Sequence, residues 1–240
     1  MSVLELRSVS RSYGQGAAQV DALADVTMSV DAGELVAVMG PSGSGKSTLL
    51  TIAGTLEHAS GGEVLIDGVE VASLSRDDQA ALRRHRIGYV FQDFNLLSGL
   101  TAVENVAIPL ELDGRSRASS QAAAMDVLER LGLTNLASRF PDEMSGGERQ
   151  RTAIARAVVG QRRLLLADEP TGALDSVNGE AVLRLLRQAC RDGVAGVVVT
   201  HDAQLAARAD RIIYLRDGRI VDESPARPGP ESLLMNEPRS

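Results

Sequence analysis

The run Leu35-Val36-Ala37-Val38-Met39 passes directly into Gly40-Pro41-Ser42-Gly43-Ser44-Gly45-Lys46-Ser47 and then into Thr48-Leu49-Leu50-Thr51-Ile52-Ala53. A short, uninterrupted apolar run fits a strand buried on both faces of a parallel sheet. The next segment matches the Walker A pattern Gly-x-x-x-x-Gly-Lys-Ser/Thr, and it lies in the strand-then-helix setting that the pattern requires. The glycines let the backbone curl so that its N–H groups converge on one point, and the helix N-terminus adds partial positive charge there. Residues 40–48 are therefore the candidate nucleotide-phosphate cradle. Lys46 is suited to the β- and γ-phosphates, and Ser47 to Mg²⁺. The competing reading is a chance glycine- and serine-rich turn. The Lys-Ser pair in register between a strand and a helix weighs against it.

Two further apolar runs end in chemically capable residues. Leu164-Leu165-Leu166-Ala167 leads into Asp168-Glu169-Pro170, and Val197-Val198-Val199 leads into Thr200-His201. Such endings point to an α/β domain with its site at the carboxyl ends of its strands. Asp168 is the candidate Mg²⁺ carboxylate, and Glu169 the candidate general base for an attacking water. Taken alone, an acidic turn capped by proline is an equally good account of this pair. Gln92 follows the β-like run Tyr89-Val90-Phe91 and is placed to reach a metal-bound water or a γ-phosphate. His201 is placed to sense that phosphate, although a lone strand-end histidine is more often structural. His58 and His85 read as surface residues.

The remaining pattern surrounds this core. Leu4 and Leu6 alternate, as do Val26, Met28 and Val30, and Asp-Gly pairs at residues 67–68 and 217–218 signal hairpins. Antiparallel structure is thus expected beside the parallel sheet. Ser75 is a helix cap with Asp78 three positions on. Ala124, Met125, Leu128 and Leu131 share a helical face, and so do Val182, Leu185, Leu186 and Ala189. Residues 93–149 show helical signals and no buried-strand run, so they read as a helical insertion into a core of residues 1–92 and 150–225. Residues 226–240 read as a flexible tail. With no Trp and 2% aromatic residues, the core has to be aliphatic. The net charge of −7 and the spread of basic residues argue against a nucleic-acid partner. The lone Cys190 reads as a small buried hydrophobe and suits a reducing compartment. Neither a signal peptide nor an apolar run of the roughly 18 residues needed to span a bilayer is apparent.

Met144-Ser145-Gly146-Gly147-Glu148-Arg149-Gln150-Arg151, upstream of the acidic strand, resembles the signature of ABC ATPases. The common form is Leu-Ser-Gly-Gly-Gln. Met144 and Glu148 depart from it, and the Ser-Gly-Gly core is intact. A helix N-terminus with exposed amides suits a phosphate, and in this family the phosphate belongs to ATP held by a second subunit. The resemblance therefore implies a head-to-tail dimer of two copies with two ATP molecules at the interface. Ser145, Gly146, Gly147 and Glu148 would complete the partner's site. It also implies that Tyr13 stacks on adenine, that Gln92 is the Q-loop, that Ala173-Leu174-Asp175 is the D-loop and that His201 is the switch histidine. The implied fold is a P-loop, RecA-like α/β core with a mixed sheet, an antiparallel β-subdomain and a helical subdomain.

Within the family, residues 90–97 and 168–175 look like the MacB, LolD and FtsE group, which the resemblance pairs with membrane proteins that transmit force to the far side of the membrane, for export, lipoprotein release or cell-wall hydrolase control. The expectation is an ATP hydrolase that uses ATP and Mg²⁺ and is held at the cytoplasmic face of the membrane by a permease chain. A soluble ABC-type ATPase without a membrane partner is the alternative.

Overall fold

In the computed structural model, residues 1–14, 16–172 and 174–225 are described. Ala173 of the D-loop stretch and the expected tail, residues 226–240, lie outside the described residues.

Each apolar run becomes a strand whose side chains divide between two cores. β3 (Leu35–Met39), β7 (Leu164–Asp168) and β8 (Ala195–Val199) lie in the middle of a six-stranded sheet. Leu35, Ala37, Leu165, Ala167 and Val198 enter one hydrophobic cluster, while Val36, Val38, Leu164, Leu166, Val197 and Val199 enter the other. Strand side chains alternate between faces, so an unbroken apolar run signals burial on both sides. The sheet is completed by β6 (Ile87–Val90), β9 (Arg211–Arg216) and β10 (Arg219–Pro225), in the order β10-β9-β3-β8-β7-β6. All pairings are parallel except that of β9 with β10, the hairpin signalled by Asp217-Gly218.

A second, antiparallel sheet covers one face. It consists of β1 (Ser2–Tyr13), β2 (Val20–Asp31), β4 (Gly61–Ile66) and β5 (Val69–Glu70), in the order β2-β1-β4-β5. Leu4, Leu6, Val26 and Val30 share a cluster with Val36 and Val38 and with α1 (Lys46–Ala53). On α2 (Arg76–Arg86), the expected Ser75 cap accepts the Asp78 N–H at 3.2 Å. Helices cover the other face. They are α3 (Ala102–Leu112), α4 (Arg117–Arg130), α5 (Gly146–Val158), α6 (Ser176–Arg191) and the short α7 (Ala203–Ala206). Val106, Leu110, Ala124, Leu128 and Ile154 pack in the same cluster as Ala37 and Ala167. The helical stretch thus packs into the core that one face of the sheet also fills.

Cys190 is 1% exposed, and burial pushes its thiol up to about 11, as expected of a structural residue. His58 is exposed, while His85 and Arg84 both pair with Asp113, at 3.1 and 3.0 Å. Four arginines from distant parts of the sequence are brought together by the fold. Arg83, Arg84, Arg156 and Arg162 line one cavity of about 340 Å³, beside Tyr89 and Leu112.

α5 seats against β6 at Gly88, where a Cβ would lie 2.0 Å from the Ala157 carbonyl oxygen. Gly88→Ala is expected to destabilise the chain by about 1–3 kcal/mol, the usual cost of overpacking. The thermal midpoint should drop by several degrees, read by circular dichroism. An unchanged midpoint would show that α5 is not pressed onto this strand.

Candidate active site

The register of the central strands brings the motifs level. Val38 pairs with Val199, which pairs with Asp168, so β3, β8 and β7 end in one row. The phosphate loop, Thr200-His201 and Glu169 all leave the sheet from that row. The Thr200 N–H donates to the Val38 carbonyl at 3.1 Å, and the Glu169 N–H to the Val199 carbonyl at 2.9 Å.

Close packing explains two of the loop's glycines. A Cβ on Gly40 would lie 2.0 Å from the Leu215 carbonyl oxygen, and one on Gly45 would lie 2.2 Å from that of Ala22. Gly45 also caps α1 with φ +100, a left-handed conformation that glycine adopts without steric cost. The β9–β10 turn braces the loop, since the Gly218 N–H donates to the Ser44 carbonyl at 3.0 Å. Ser44 is 3% exposed, and its hydroxyl has no hydrogen-bond partner among the described residues. Lys46 Nζ folds back to donate to the carbonyls of Gly40 and Pro41, at 2.9 and 2.8 Å. Pro41, Ser42 and Gly43 are exposed at the tip of the loop, and Thr48 lies half-buried in the first turn of α1.

The Ser47 hydroxyl donates to Asp168 Oδ2 at 2.8 Å, joining the loop to the end of β7. Asp168 is 8% exposed. Burial raises its pKa, and the neighbouring charge of Glu169 adds to this, while the Ser47 bond and Lys46 oppose it.

Glu169 has φ +49, a left-handed backbone that costs a residue with a Cβ roughly 1–2 kcal/mol. Its carboxylate meets His201 Nδ1 at 2.8 Å and accepts from the Thr200 hydroxyl at 3.4 Å. Its carbonyl accepts the Gly172 N–H at 3.1 Å and the side-chain amide of Gln150 at 2.9 Å. Neither Thr200 nor Gln150 is marked as functional by a motif. Gln150 carried a signal, because it falls at helical spacing with Ala153, Ile154 and Ala157 on the core stripe of α5. Thr200 carried another, as a buried polar residue directly before His201.

Two other predicted residues lie at or beyond the ends of other strands. Tyr13 is exposed at the end of β1. Its hydroxyl donates to Glu57 at 2.5 Å, and Arg11 lies over its ring at 4.6 Å. Gln92 is exposed two residues beyond β6. After it, Phe94 and Asn95 both take left-handed φ, +62 and +48. Arg156 on α5 donates to both of their carbonyls, at 2.8 and 2.6 Å.

The signature serine caps α5. The Ser145 hydroxyl accepts the Glu148 N–H, and the Glu148 carboxylate accepts the Ser145 N–H at 2.8 Å and its hydroxyl at 2.9 Å. The Ser145 N–H, and secondly its hydroxyl, hold the Glu148 pKa below the usual carboxylate range. Gly146 has open space where a Cβ would be, and Gly147 continues the first turn. Asp175 caps α6 by accepting the Asn178 N–H at 2.8 Å, which lowers its pKa. Among the described residues, no hydrogen bond or ion pair links residues 145–148 or Asp175 to the phosphate loop of the same chain.

The hydrogen bond to Glu169 raises the pKa of His201, and the Glu169 charge adds to it. A raised folded-state pKa means that the pair stabilises the fold fully below the unfolded value, roughly 6.5. That contribution is lost as pH climbs through the folded value. By NMR, the His201 imidazole is expected to titrate above a free histidine, and Glu169→Gln should lower its midpoint. A midpoint that does not move would show that the pairing is not formed in solution.

Residues 23–172 match the family described as ABC transporter. The chain is similar to the macrolide export ATP-binding/permease protein MacB of Photorhabdus laumondii, 47% identical over 223 residues that cover 93% of this chain and 34% of that protein. It is 48% identical over 221 residues to the MacB of Bradyrhizobium diazoefficiens, covering 92% of this chain and 34% of that protein. The chain thus spans about a third of the length of these curated relatives. Among solved structures, it resembles the ATP-binding cassette MJ0796 in a dimeric post-hydrolysis state bound to ADP and Pi. The TM-score is 0.89 at 41% identity, over 93% of this chain and 99% of that one. A family match across residues 23–172 and this likeness to a whole solved cassette agree with the site geometry: the chain belongs to the ABC transporter family, as an ATP-binding cassette.

Proposed function

We propose that this chain binds ATP with Mg²⁺, pairs head to tail with a second copy and hydrolyses ATP to drive a membrane permease. The observation that carries this reading is the 2.8 Å bond between Ser47 and Asp168, with Glu169 one residue further along. It sets a phosphate cradle, an acidic oxygen and a candidate base side by side.

Each group then has a task. The backbone N–H groups of residues 40–48, all but Pro41, and the Lys46 ammonium take the phosphates, and Lys46 exchanges its two loop carbonyls for them. The Ser44 hydroxyl, which has no partner among the described residues, is available as a further donor. Ser47, Asp168 and Gln92 would hold Mg²⁺ through hard oxygen donors, the buried Asp168 supplying the carboxylate. When bound, the ion neutralises charge developing on the phosphates. Glu169 accepts a proton from the attacking water. His201 and Thr200 hold that carboxylate in place, and His201 also faces the γ-phosphate. Tyr13 offers its ring to adenine. The amides of Gly146 and Gly147, with Ser145, Glu148 and Asp175, meet the nucleotide of the partner copy. That arrangement gives residues 145–148 a second role beside capping α5.

The relatives named MacB support export as the work driven, and their names join an ATP-binding part to a permease. In this reading, the core is residues 1–92 and 150–225, and the insertion, residues 93–149, passes motion to the permease at the cytoplasmic face. The cavity lined by Arg83, Arg84, Arg156 and Arg162 opens beside that insertion and suits a partner segment. Among the described residues, no helix is long and apolar enough to cross a membrane.

Glu169→Gln is expected to retain ATP binding, to lose about 100-fold or more of turnover and to run as a dimer on size exclusion with ATP and Mg²⁺. Turnover at the parent rate would overturn the base assignment. Lys46→Ala should lose nucleotide affinity in calorimetric titration. The trapped Glu169→Gln form should recover a permease from native membranes, and recovery of soluble partners alone would favour an ABC ATPase that acts without one.

A further inference from the structure

Gln150 is a polar side chain on an apolar stripe. It is 2% exposed on the face of α5 that also buries Ala153, Ile154 and Ala157. Apolar residues usually fill such a position, because a buried amide has to find hydrogen-bond partners. Gln150 spends its Nε2 donor on the main-chain carbonyl of Glu169, at 2.9 Å.

The Glu169 peptide needs holding. Its left-handed backbone persists in a residue with a Cβ only where the surroundings over-determine it. Its N–H is tied to Val199 on β8, and its carbonyl to the Gly172 N–H in the turn that follows. Both ties come from the strand layer and the local turn. Gln150 adds a tie from a helix, and that helix begins at the signature residues Gly146 and Gly147. The Glu169 carboxylate is separately tied to His201 and Thr200.

We propose that Gln150 is a positioning residue for hydrolysis. It fixes the Glu169 peptide, sets the direction of the carboxylate and makes the base follow the seating of α5. This rests on the proposed role of Glu169 as general base. Because α5 starts at the residues that meet the partner's nucleotide, a displacement of its N-terminus is carried by Gln150 to the base of its own chain. Gln150 acts on the base through the Glu169 carbonyl.

Two variants of the full chain test this. Gln150→Met keeps the length and loses the donor, and Gln150→Glu keeps the shape and replaces the donor with an acceptor. In steady-state ATPase assays, kcat is expected to fall about tenfold or more in both, the scale of a misplaced catalytic group, while KM for ATP stays within about twofold. Combined with Glu169→Gln, each should still give the ATP-trapped dimer on size exclusion, since the signature contact is untouched. If Gln150→Met melts early by circular dichroism, Gln150→Glu decides. An unchanged kcat overturns the proposal. So does a KM that rises in step with the loss of rate, or a lost trapped dimer, because either would mean that Gln150 supports the signature fold rather than the base. Failure of the base assignment is read separately, from Glu169→Gln alone keeping parent turnover, and it overturns this proposal as well.

Discussion

Everything at the site depends on β3 and β7 ending level across β8. Ser47 and Asp168 are 121 residues apart in sequence, yet they share a 2.8 Å hydrogen bond. That is possible because Val38, Val199 and Asp168 stand in one row of parallel pairing. A slip by one residue would exchange the two faces of a strand. Here both faces are buried against different partners, the antiparallel sheet with α1 on one side and the long helices on the other. Packing against different elements on the two faces holds the register, and the register holds the chemistry.

The site stores local strain and holds it with hydrogen bonds. Glu169, Phe94 and Asn95 all occupy left-handed backbone regions without being glycine. Each is held by a side chain of α5, Gln150 for Glu169 and Arg156 for the other two. One helix therefore carries the Ser-Gly-Gly stretch at its start, grips the Glu169 peptide within its second turn and grips the segment after Gln92 further along. Rigid-body movement of α5 is felt at all three places, which gives a nucleotide-dependent machine a short mechanical path.

The departure of Glu148 from the common signature has a local account. Its carboxylate closes a reciprocal cap with Ser145, satisfying the serine N–H and hydroxyl at the head of α5. A negative group is favoured at a helix N-terminus. Glutamate therefore keeps the first turn of this helix formed without help from any ligand.

Much of this could be read from local pattern. The strand-loop-helix of residues 35–53, the acidic strand end, the Asp-Gly hairpins and the Ser75 cap are short-range features. Sequence determined them because backbone curl, capping and face alternation are set by neighbouring residues. The strand order β10-β9-β3-β8-β7-β6, the His201 contact with Glu169, the reach of Gln150 and the gathering of four arginines around one cavity belong to tertiary structure. Those depend on which distant surfaces bury one another. Gln150 shows the boundary: its place on an apolar stripe marked it as a buried amide needing a partner, but only packing α5 against the end of β7 decided that the partner was the carbonyl of Glu169.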